Sequence, residues 1–115
     1  MDIKKFYEET GSNYQAAISI MMNDSLIERM IKKFMDKNSY QAIIEAYEAN
    51  NIPEVFAQAH SFKGVTGNLS LTRLFEVASI LTEATRGKEE ANIDNEIARL
   101  KEEYQRVEKV YKELL

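Results

Sequence analysis

Apolar residues recur along this chain at intervals of three and four, which keeps one stripe on one side of a helix. The clearest run is 92–115, where Ile93, Ile97, Leu100, Tyr104, Val107, Tyr111 and Leu114 follow at spacings 4, 3, 4, 3, 4, 3 among Glu, Lys and Arg. Asn92 or Asp94 is placed to cap it, a side-chain oxygen meeting free backbone N–H groups. Residues 24–37 repeat the pattern, with Asp24 or Ser25 as cap and Leu26, Ile27, Met30, Ile31 and Phe34 as the apolar face. A shorter helix is predicted at about 39–50, capped by Ser39, with Ile43, Ile44 and Tyr47 inward and Asn50-Asn51 ending it.

Pro53 then opens a helix at a position where its missing N–H costs nothing, and the pattern runs through His60 to about Leu69. The next helix, about 71–86, carries Leu71, Leu74, Phe75, Ala78 and Leu81 and stops at Arg86-Gly87. Near the N-terminus, Ile3, Phe6 and Tyr7 mark a short helix ended by Gly11 or Ser12, and Tyr14, Ile18, Met21 and Met22 mark a second. Short links between amphipathic helices favour antiparallel neighbours. The expectation is an all-α fold, an antiparallel up-down four-helix bundle with additional short N-terminal helices, formed by residues 1–115 as one domain.

Composition removes whole classes of function. There is no Cys, so no disulfide, thiolate zinc site or cysteine nucleophile is possible. The 15 Lys+Arg against 19 Asp+Glu leave a net charge of −4, unsuited to a nucleic-acid surface. No apolar run reaches membrane-spanning length and no signal-peptide core follows Met1, so a cytoplasmic protein off the membrane is expected. A P-loop is missing, and one His without Cys leaves little for a metal site, so none is expected.

One stretch departs from this background. Residues 55–75 contain no acid, while Lys63 and Arg73 give the window a charge of +2. Gly64 and Gly67 lie inside a helical pattern, each costing about 1 kcal/mol relative to Ala, a cost that calls for close approach by another group. At the helical repeat, His60, Lys63, Gly64 and Gly67 fall within about 100° of one face, together with Phe56 and Ala57. Val55, Phe62, Val65 and Leu69 lie opposite as a core stripe. Gly64-Val65-Thr66-Gly67 also fits a loop, or the GXXG loop of KH nucleic-acid modules. The apolar stripe argues for a continuous helix, and the chain offers neither the strands nor the basic surface of a KH fold. Asn68 and Arg73 are weaker site candidates.

A solvent-facing imidazole without a sequence-near carboxylate keeps a free lone pair and can attack an activated phosphoryl group. Lys63 would offset charge on the phosphoryl oxygens, and the glycines would admit the donor. The face thus reads as a phosphate-carrying histidine. A structural bundle dimerising through 92–115 is a rival, and it requires His60 to be buried or hydrogen-bonded.

The run HSFKGVTGN, preceded by FAQA and followed by LxxLxxxA, also resembles the histidine-containing phosphotransfer (HPt) domain. That pattern places Lys three, Gly four and a small residue seven positions after a helical His, here Lys63, Gly64 and Gly67 after His60. The likeness extends to Ala59 and to Asn68-Leu69; it is strong over about 52–86 and leaves the N-terminal third without a family motif. It implies a four-helix bundle whose His accepts phosphate on Nε2 from a receiver-domain aspartate and passes it to another, in a multi-step two-component relay. The implied partners are the receiver domain of a response regulator or of a hybrid sensor histidine kinase. Magnesium would sit on the receiver, with no cofactor on this chain. On this reading His60 is the acceptor and Lys63 the electrostatic helper. Phe56, Ala57, Gly64 and Gly67 serve docking and access. A monomer without kinase activity of its own is expected. A helical adaptor that docks without carrying phosphate is the alternative.

Overall fold

The computed structural model describes residues 1–115 as seven α-helices and no strand. They are α1 (Ile3–Glu9), α2 (Tyr14–Met21), α3 (Asp24–Asp36), α4 (Tyr40–Glu48), α5 (Ile52–Asn68), α6 (Thr72–Thr85) and α7 (Asp94–Leu114). The elongated body measures 42 × 25 × 20 Å. The helical spacing of apolar residues thus located every element, with ends shifted by a residue or two.

The caps differ from expectation where several side chains compete. Asn23, not Asp24 or Ser25, starts α3, its Oδ1 accepting from the Leu26 N–H at 2.7 Å. Ser39 stands at the N-cap of α4 without a capping bond. Asn38 substitutes for it, accepting from the Tyr40 N–H at 2.8 Å. Asn92 accepts from the Asp94 N–H at 3.3 Å ahead of α7. The expected glycine stop after α6 is present, Gly87 taking φ +69°.

A single buried cluster draws on all seven helices. Phe62 of α5 sits at its centre, 5.7 Å from the Phe34 ring of α3 and 6.3 Å from the Tyr104 ring of α7. Tyr40 of α4 stacks on Tyr104 at 3.8 Å, and Asn38 donates to the Tyr104 hydroxyl at 2.9 Å. Only Leu69–Leu71 separate α5 from α6, so the two pack antiparallel along their length. Rings locked this way on one face of α5 fix what its other face presents.

Three residues expected in the core lie at its edge. Val65 is 42% exposed, Met30 37% and Phe75 36%. On α5 the buried arc is Ile52, Val55, Ala59, Phe62, Thr66 and Leu69, which puts Val65 just past its boundary. The polar Thr66 takes the core place instead, its hydroxyl donating to the Phe62 carbonyl at 2.9 Å. A threonine in a helix can bury its hydroxyl by bonding the preceding turn, which apolar patterning does not register.

Candidate functional site

The helix bearing the histidine begins with a satisfied cap. Asn51 Oδ1 accepts from the Glu54 N–H at 3.2 Å, and Pro53 lies in the first turn. From there α5 is one uninterrupted helix through Asn68, so GVTGN is helical and not a loop. Its continuity carries the buried arc and the solvent arc in fixed register for seventeen residues.

His60 lies on the solvent arc and is exposed. The hydrogen bonds of the neighbourhood run elsewhere: Gln58 to Glu54, Ser61 with Ser39, and Thr66 to Phe62 and Lys63 carbonyls. None ends on the imidazole. One turn earlier, the half-buried Phe56 ring stacks on His60, centroids 5.9 Å apart and planes 20° apart. Lys63 is half-buried and without an ion-pair partner, and Ala57 is exposed.

The two glycines differ. A Cβ at Gly64 would meet nothing within 4 Å. At Gly67 it would lie 3.1 Å from two atoms of the Phe75 ring on α6. Gly67 therefore lets α6 pack close, its space filled by the chain's own aromatic ring. The open patch beside His60 reduces to Gly64.

Two side chains that sequence spacing did not bring to the site arrive from α6 and its end. Arg86 places its guanidinium over the Phe56 ring, 5.0 Å from the centroid, and pairs with Glu83 at 3.0 Å. The hydrogen bond and charge of Arg86 hold the Glu83 carboxyl below the usual carboxylate range. Through Arg86 over Phe56, the carboxylate stands beside the ring that stacks on His60. The acid-free window of the sequence is thus not acid-free in space. Arg73, by contrast, belongs elsewhere: it donates to Glu103 of α7 at 2.6 and 3.0 Å and lies against Gly11. Asn68 is the exposed last residue of α5.

A concavity of about 660 Å³ runs between α3, α4 and α5 beside this face rather than at it. Met30, Phe34, Phe62, Val65 and Leu69 line it, together with Lys33, Lys37 and Ser39. No three His, Cys, Asp or Glu side chains come together as metal ligands. No helix is long and apolar enough to cross a membrane.

The helical bundle thus offers its one histidine, exposed and without a hydrogen bond, from the middle of a long helix. The family model of the Hpt domain matches residues 25–110 of the 115-residue chain, and the chain belongs to that family. Hpt domains are phosphocarriers in two-component signalling, not kinases. The match takes in α3 from its second residue, α4 to α6 and most of α7, and leaves α1 and α2 outside. No curated protein and no solved structure matches the chain.

Proposed function

We propose that His60 accepts a phosphoryl group from a receiver-domain aspartate and hands it to another, in a multi-step relay in the cytoplasm. One observation carries this reading: the sole imidazole of the chain stands exposed and unbonded beside Lys63 and the open space over Gly64. In the step, the Nε2 lone pair attacks phosphorus and an N–P bond forms. The P–O bond to the aspartyl carboxyl breaks, its electron pair leaving with the carboxylate. Nδ1 keeps its proton, and the same movement in reverse delivers the group onward.

The chain's own contribution is position and charge, which dominate phosphoryl transfer. Stacking on Phe56 limits the ring's rotation. The Lys63 ammonium offsets the equatorial oxygens, and Gly64 leaves room for the receiver backbone. Phe56 and Ala57 form part of the docking patch, with Gly67 acting indirectly by seating Phe75. Magnesium would be held by the receiver, and the domain would work as a monomer.

The test is incubation with a receiver domain carrying labelled aspartyl phosphate. Acid-labile, base-stable label appearing on the chain and lost in His60→Gln is the expected result. Absence of label with every receiver tried, or undiminished label in His60→Gln, overturns the proposal. Receiver binding without label would favour the adaptor alternative.

A further inference from the structure

We infer that Arg86 is a positioning residue that occupies the Glu83 carboxylate, so that no free acid opposes the phosphoryl group on the His60–Lys63 face. This rests on the reading of His60 above. Its ground is an arrangement of four side chains, two from α5 and two from α6 and its end. Arg86 Nη2 and Nε both approach the Glu83 carboxylate, at 3.0 and 3.3 Å, as a fork. The same guanidinium lies over Phe56, whose ring stacks on His60. A planar, permanently charged group can fork a carboxylate and cover a ring at once, which an ammonium cannot. The ion pair is therefore anchored to the ring that orients the imidazole.

Glu83 needs such an anchor because of where it lies. Its partner Arg86 lies over the Phe56 ring that stacks on His60, so a phosphoryl group on His60 would bring about two negative charges to the same face. A loose carboxylate would repel the incoming group and compete with it for Lys63. Paired with Arg86, it does neither. The pair's side chains are 50% and 61% exposed, so water screens it and the effect is modest.

The experiment compares the rate of phosphoryl uptake from a labelled receiver by the parent chain, Arg86→Gln, Glu83→Gln and the double variant. Glutamine keeps a flat amide near Phe56 while removing the charge, and thermal melts confirm that each variant folds. Arg86→Gln should be slower by roughly two- to fivefold, the range expected of an exposed pair. Glu83→Gln alone should match the parent or exceed it, and the double variant should return to the parent rate. The Arg86→Gln defect should also shrink as salt rises. An Arg86→Gln rate equal to the parent's overturns the inference. So does a slow Arg86→Gln that Glu83→Gln fails to restore, since the guanidinium would then act on Phe56 or the phosphoryl directly. A parent chain that takes up no label refutes the His60 reading itself, and this inference with it.

Discussion

The middle of α5 and the turn at its C-terminal end are built to opposite specifications. Around His60 the side chains are exposed or only half-buried, and the imidazole is left without a hydrogen bond. Three turns on, at Leu69–Leu71, every backbone group is tied down. The buried Tyr7 hydroxyl donates to the Leu69 carbonyl at 2.7 Å, and the Asn13 N–H donates to the Ser70 carbonyl at 3.0 Å. Arg106 of α7 secures the adjoining end of α1, donating to the Glu9 and Thr10 carbonyls at 2.9 and 2.5 Å. The contrast separates two jobs. The N-terminal helices outside the family match clamp the α5–α6 turn, and the middle of α5 keeps its exposed imidazole free of hydrogen bonds. A group that must be reached by a partner gains from rigid backing and loses from local satisfaction of its own polar atoms.

If that division holds, the largest effect on stability comes from the clamp. Tyr7→Phe removes the hydroxyl and leaves the Leu69 carbonyl without its buried donor, a loss of about 1–3 kcal/mol in denaturant unfolding. The phosphoryl-uptake rate of the folded fraction should be unchanged. A variant as stable as the parent would show that the turn is not held from α1.

Alkaline unfolding sharpens the same point. Burial pushes the Tyr7 phenol well above its ordinary 10.0. Below pH 10 folded and unfolded chains both keep this proton; above it the unfolded chain releases it while the folded one retains it. Stability therefore falls as pH rises, by up to about 1.4 kcal/mol per unit for this group. Tyr7→Phe should flatten that slope in denaturant titrations taken across pH 9 to 11, and an unaltered slope would contradict the assignment.

The smallest effect separates the two glycines. Gly64→Ala meets open space and should raise stability by up to about 1 kcal/mol through helix propensity. Gly67→Ala should gain less, because Phe75 must move aside, and should recover the difference in a Phe75→Ala background. Equal gains at both positions would show that the ring does not restrain Gly67.

How much of this was readable along the chain follows from distance in sequence. The helices were, because the period of apolar positions needs only local spacing. The outward direction of His60 was, because one helix and its angular repeat place Phe62 and His60 on different sides. The exposure of Val65, Met30 and Phe75 was not, since the width of a buried arc depends on which neighbours flank it. Gly67 looked like open space because the ring that fills it comes from across a turn. The place of Glu83 and Arg86 beside the His60 face was hidden for a similar reason: an acid-free window is a property of one segment, and α6 returns an acid to its flank. Arg73 and Arg86 both appear as free cations in sequence, and only packing assigns one to α7 and the other to the ring beside His60.

The central claim is that His60 is the atom-level carrier, and locating the phosphoryl group tests it most directly. Phosphorus NMR of the chain after reaction with a phosphorylated receiver, with fragmentation mass spectrometry of the same sample, would identify the modified atom. The account predicts one phosphoryl group, on Nε2 of His60, and none on the His60→Gln chain. A phosphoryl group on any other residue, or none on a chain that still binds the receiver, would contradict it.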